Sequence, residues 1–295
     1  MGLHRLLSVT LGVPDVAAAA TFYRDFGLAE SRPGVLGTAT GGEQLRLEAT
    51  ASRRLLEVAA AVDDADDLER TARSLAALDM DCTRDATTLV TRDRGSGVAV
   101  RLAVTPRLAV AAEPRMPLNG PGRVERAGRS PALVDGGARP RRLGHVVLAT
   151  PDLEASHAFF VRGIGFKESD AIGGLAWFLR CSTDHHNLLI QRAPVAFLHH
   201  TAWEVGDADE IGRGARELLA ADPARHAWGF GRHHVGSNFF WYFRDPAGNF
   251  AEYYSDLDVV DDDDRWHPSA IADRRALYAW GPPVPDEFLA PTDLP

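Results

Sequence analysis

The chain has 295 residues, 45% of them hydrophobic and 25% charged, with a formal net charge of -9. It is long enough for two domains of ordinary size, and its acidity argues against nucleic acid or an anionic membrane as partner, leaving a small molecule. Its two cysteines, Cys82 and Cys181, make neither a disulfide framework nor a thiolate metal cluster, and a cytoplasmic location is expected.

The opening MGLHRLLSVTLGVPD lacks a long apolar run after a basic segment, so it reads as neither signal peptide nor membrane span. Residues 7–28, LSVTLGVPDVAAAATFYRDFGL, predict an apolar strand, a Pro-Asp turn, an amphipathic helix and a closing Gly. The same design returns in residues 144–166, GHVVLATPDLEASHAFFVRGIGF, so the chain contains a duplicated module. Further along, LLEVAAAVDDADDLERTARSLAALD (55–79) parallels LHHTAWEVGDADEIGRGARELLAAD (198–222), each a strand, an acidic cap and a helix. TRDRGSGVAVRL (91–102) then parallels FRDPAGNFAEYY (243–254), each a turn leading into a strand. Each module therefore reads as β-α-β-β-β twice over. The expected class is α+β: two similar domains of tandem βαβββ units, each a partly closed, barrel-like mixed sheet with flanking helices.

The expected boundaries are residues 1–110 for the first domain, 111–140 for a Pro-, Gly- and Arg-rich linker, 141–258 for the second domain and 259–295 for a tail. Trp266, Trp280 and Phe288 predict that the tail packs on the body, and the acidic run 261–264 reads as a solvated turn.

Nine of the eleven histidines lie between His145 and His234, inside the second module. Superposing the repeats sets Ser8 opposite His145, Glu57 opposite His200 and Val100 opposite Glu252, so the second module alone carries a His, His, Glu set. Two neutral imidazoles and one carboxylate on one face of a divalent ion leave positions open, as in non-haem Fe(II) oxygenases. Periodicity alone does not choose between His199 and His200, because alternation turns only one of them inward. Glu252 stands in an aromatic strand, where a carboxylate needs a metal or a salt bridge.

These residues resemble the vicinal oxygen chelate (glyoxalase/bleomycin resistance/dioxygenase) superfamily, and within it the two-module type I extradiol catechol 2,3-dioxygenases. The most specific stretch is GRHHVGSNFFWYFRDPAGNFAEYY (231–254), in which Tyr242 precedes Glu252 by ten residues and His233 by nineteen. The resemblance implies His145, His200 and Glu252 as ligands of Fe(II), with Mn(II) as the substitute, and it selects His200 over His199. It implies His186, in DHHNLLI, as acid and base, and His233 and Tyr242 as catalytic groups near the substrate hydroxyl and the oxygen site. The implied reaction inserts both atoms of O2 into a catechol or substituted catechol, and the implied assembly is a homo-oligomer. The vestigial first domain is expected to lack metal ligands.

Departures from the family pattern are His234 beside His233 and the apolar Val147 on the face of the first ligand. Recognition of ring substituents is expected in 172–178, in 228–230 and in the tail, with Trp177 and Trp228 as aromatic walls. Two other readings stay open: another 2-His-1-carboxylate oxygenase of this superfamily, hydroquinone-cleaving or 2-oxo-acid-dependent, and a non-catalytic ligand-binding member.

Overall fold

A computed structural model describes residues 2–109, 116–130, 136–271 and 277–289. Four Asp-capped helices set its repeat. Asp15 accepts from the Ala18 amide ahead of α1 (Val16–Asp25), and Asp64 accepts from Asp67 ahead of α2 (Ala65–Ala76). Asp152 accepts from Ala155 ahead of α3 (Leu153–Ala158), and Asp207 accepts from Glu210 ahead of α4 (Ala208–Ala221). Each side chain satisfies an amide that the helix leaves unpaired, which fixes where the strand before it must stop. The glycines expected to close the first helix of each module, Gly27 and Gly165, have φ of 96° and 101°, a left-handed conformation that favours glycine. Before Gly165 the helix widens into a π-helical turn, Phe159–Ile164.

Each cap joins the first strand of a βαβββ unit to its helix, so there are four units. The first module holds β1 (Arg5–Val13), α1, β2 (Ala29–Arg32), β3 (Val35–Thr38) and β4 (Gly42–Ala49). Its second unit holds β5 (Arg54–Val62), α2, β6 (Cys82–Arg84), β7 (Thr88–Arg92) and β8 (Ala99–Val104). The second module repeats this with β9 (Arg142–Thr150), α3, β10 (Lys167–Ile172), β11 (Ala176–Arg180) and β12 (Leu188–Arg192). It ends with β13 (Phe197–Glu204), α4, β14 (His226–Arg232), β15 (Phe239–Arg244) and β16 (Phe250–Ser255).

The two mixed sheets have strand orders β2-β3-β4-β1-β5-β8-β7-β6 and β14-β15-β16-β13-β9-β12-β11-β10-β17, where β17 is Ala270–Ile271. The class is therefore α+β as expected, but each sheet is open: among the described residues no pairing joins its end strands into a closed barrel.

One apolar core runs through both modules. Phe26 of α1 stacks on Tyr253 of β16 with ring centroids 4.0 Å apart, and the Tyr253 hydroxyl donates to the Phe26 carbonyl at 2.7 Å. The segment after β16 folds back onto the second sheet. β17 pairs with β10, Trp266 Nε1 donates to the Ser169 carbonyl at 2.8 Å, and α5 (Asp286–Leu289) buries Phe288 among Trp228, Tyr242 and Phe250. Trp280 stays 46% exposed, resting on Phe230 and Phe239. The acidic run is paired: Asp263 binds Lys167 and Arg180, and Asp262 binds Arg265.

Candidate metal centre

Strand register builds the centre. β13 lies antiparallel to β9 with Ala202 opposite His145 and His200 opposite Val147, while β16 lies parallel to β13 with Glu252 beside Ala202. His145 and Glu252 thus flank the small Ala202 across three adjacent strands, and their longer side chains converge above it with His200 one step along. One ligand atom from each of the three residues lies within 4.8 Å of the others. Glu252 Oε2 is 3.0 Å from His145 Nε2 and 3.4 Å from His200 Nε2, and Oε1 accepts from Asn238 Nδ2 at 3.1 Å.

Burial opposes charge on Glu252, but His145 and His200 outweigh it and hold the carboxyl well below the usual carboxylate range. Burial pushes the His200 imidazole down to about 4. The set therefore pairs a carboxylate and a neutral His200 imidazole with His145, the donor chemistry of a divalent cation. His200 Nε2 is buried without a hydrogen-bond partner, as is His145 Nδ1. A buried lone pair left bare costs about 1–3 kcal/mol, and a metal beside Glu252 would engage that of His200. The residues fit such an ion.

In the first module the same register sets Ser8 opposite Ala59 and Arg101 beside Ala59. Arg101, not Val100, therefore corresponds to Glu252. The turn before β8 closes from the Asp93 amide to the Val98 carbonyl, whereas its counterpart closes from Asp245 to Asn249, one residue shorter. That extra residue shifts the strand by one and exchanges its faces. Arg101 Nε binds Glu57 at 3.0 Å and Nη2 reaches Ser8 Oγ at 3.5 Å, so a guanidinium stands at the position matching the metal centre.

His199 and His200 are both buried, against the alternation expected of a strand. The pairing of β13 with β9 skips from Leu198 to His200, leaving His199 in a bulge that lets both rings face one cavity. His199 Nδ1 lies 2.8 Å from His200 Nδ1, and His199 Nε2 lies 2.7 Å from the Phe288 carbonyl. His186 stands with its ring centroid 4.3 Å from that of His145. Its Nδ1 meets His185 Nδ1 at 3.0 Å, and His185 Nε2 meets Asp170 Oδ2 at 3.0 Å. Burial and the surrounding histidines push the His186 imidazole well down. His233 Nδ1 donates to the Leu277 carbonyl, and Tyr242 donates to His233 Nε2 at 2.8 Å. Burial and Glu252 raise the Tyr242 phenol well above its ordinary value, so it stays protonated.

All three groups open onto a pocket of about 690 Å³, mouth included, that also exposes His145 and His200. Its walls include Val147, Phe178, Leu189, Trp228 and Phe288. Trp177 does not line it: on β11 the inward residues are Ala176 and Phe178, while Trp177 packs on His157. His234 is exposed and outside the lining. Asp170, His185 and Asn238 were not singled out by spacing, and His199 only as the alternative to His200, although His185 and His199 each stand in a His-His dipeptide visible in the sequence.

The family described as the Glyoxalase/Bleomycin resistance protein/Dioxygenase superfamily matches residues 142–253. The chain is 37% identical over 156 residues to metapyrocatechase 2 of Cupriavidus necator, covering 52% of this chain and 48% of the relative. It is 30% identical over 155 residues to an iron-dependent extradiol dioxygenase of Rhodococcus jostii, covering 47% and 50%. The matches thus span about half the length of these relatives. The fold is that of the Mn(II)-bound glyoxalase from Novosphingobium aromaticivorans, with a TM-score of 0.77 at 24% identity over 96% of this chain and 93% of the other.

Proposed function

From the premise that residues 142–253 form a Glyoxalase/Bleomycin resistance protein/Dioxygenase superfamily domain, we propose that the chain is an extradiol dioxygenase inserting both atoms of O2 into a catechol or substituted catechol. The observation that carries this reading is the convergence of three ligand atoms within 4.8 Å at an apolar pocket, beside His186, His233 and Tyr242. His145, His200 and Glu252 would hold Fe(II), or Mn(II) in its place. Bound there, the metal supplies a Lewis acid and an electron path between a chelated diol and dioxygen.

The rest falls to side chains. The neutral His186 accepts the proton of the second substrate hydroxyl and later returns it, work suited to an imidazole. Tyr242 turns its hydroxyl from His233 to a substrate oxygen, which frees His233 Nε2 as an acceptor close by. Val147, Phe178, Leu189 and Trp228 hold the ring and exclude water. The bond beside a hydroxyl opens, and both oxygen atoms end in a yellow hydroxymuconic semialdehyde-type product. A non-catalytic binding protein has no use for this set of proton-handling groups around the ligands.

Anaerobic loading with Fe(II), then a panel of catechols in air, should give a yellow product with one O2 consumed per ring. Failure with every catechol in iron-replete protein would overturn the proposal. His186→Phe should keep the metal and lose about 10²–10⁴-fold in turnover, the usual worth of a general base; equal loss of metal would make His186 a ligand.

A further inference from the structure

Two histidine pairs on different segments are built alike. In each, the first ring directs Nε2 at a fixed acceptor: His199 at the Phe288 carbonyl, 2.7 Å away, and His185 at the Asp170 carboxylate, 3.0 Å away. The carboxylate is itself held by the Ser269 amide at 2.7 Å and the Ser269 hydroxyl at 3.0 Å. A carbonyl or a carboxylate only accepts, so the hydrogen of each first ring sits on Nε2. Each pair then meets Nδ1 to Nδ1, at 2.8 Å for His199 with His200 and 3.0 Å for His185 with His186. One nitrogen at such a contact must donate and the other accept. With one hydrogen on each first ring, placed on Nε2, its Nδ1 accepts, so the second ring donates from Nδ1 and keeps a bare lone pair on Nε2; a second hydrogen on the first ring would reverse the contact.

That is the atom each role requires. His200 Nε2 is the buried, unpartnered nitrogen beside Glu252, and a base at His186 needs a lone pair on the atom left free. We propose that His199 and His185 are positioning residues that fix the tautomers of His200 and His186, anchored by the Phe288 carbonyl and by Asp170. The C-terminal segment thereby becomes part of the metal centre without contributing a ligand. The inference rests on the roles given to His200 and His186 above, and it explains why a bulge at His199 is built into β13: without it the His199 ring would leave the face of His200.

Ring nitrogen–proton correlation spectra of the metal-free protein, labelled on histidine, read the tautomers directly. His185 and His199 should carry hydrogen on Nε2, and His186 and His200 on Nδ1; hydrogen on Nε2 of His186 or His200 overturns the proposal. Calorimetric titration with Mn(II) gives a second readout. His199→Leu should weaken binding by about 10–100-fold, the usual effect of losing a partner of a ligating histidine. His199→Gln, whose amide can donate to Phe288 and accept from His200, should recover most of it, and undiminished affinity in His199→Leu counts against the proposal. A wild-type chain that binds no divalent ion defeats the metal reading instead, and the spectra then decide the tautomers alone.

Discussion

Asn238 reaches the centre through one atom, the Nδ2 that donates to Glu252 Oε1. Asn238→Ala leaves that lone pair buried and frees the carboxylate to rotate off the two imidazoles. Metal affinity should fall about 10-fold or more, read by titration with Mn(II); wild-type affinity would show the carboxylate to be held by the metal alone. Acid acts on the same cluster. Burial holds His199 at about 3 and His200 at about 4, below the 6.5 of a free histidine. The unfolded chain therefore binds more protons below about pH 6.5, so the stability that these neutral rings contribute is complete above that pH and is lost as pH falls toward 4 and 3. The urea midpoint of the metal-free protein should drop between pH 7.5 and pH 5; an unchanged midpoint would mean that the rings charge without penalty. The ligand candidates stood out in the sequence because Ser8 and Glu57 occupy the matching places in the other module. Asn238 had no such contrast, since its role follows from a contact across two strands and not from any spacing.

Among elements, β13 and the turn before β8 show where pattern reading fails. Alternation assumes an unbroken ladder, and the bulge at His199 breaks it; the residue-for-residue repeat assumes equal turns, and the longer one puts Arg101 where Val100 was expected. Neither insertion has a compositional mark. The helices were legible because each depends on its own cap, and Asp15, Asp64, Asp152 and Asp207 all cap as expected. The tail was legible only as a set of aromatic residues, and Phe288 now has a place: its ring centroid is 4.7 Å from that of Tyr242 and 5.0 Å from that of Phe250. Phe288→Ala removes the anchor of α5 at a cost of about 3–5 kcal/mol if the gap does not close. The C-terminal segment should then be cut by proteases while the sheets still resist, and an unchanged digestion pattern would show that other contacts dock it.

Across the whole molecule the modules are unequal partners in one core. Phe26 stacks on Tyr253, the neighbour of Glu252, so the first module steadies the strand that carries the carboxylate. At the corresponding place in its own sheet it holds Ser8, Glu57 and Arg101, and the Arg101 guanidinium lies between the other two. A fixed positive charge there repels a divalent cation and already satisfies Glu57, so the duplication that made two scaffolds should leave one metal centre. Metal analysis of fully loaded protein should give one equivalent per chain, and substituting any of His145, His200 or Glu252 by Ala should remove nearly all of it. Two equivalents would mean that the first module binds a metal in spite of Arg101. One equivalent that survives Glu252→Ala would place the ion elsewhere and take the proposed chemistry with it.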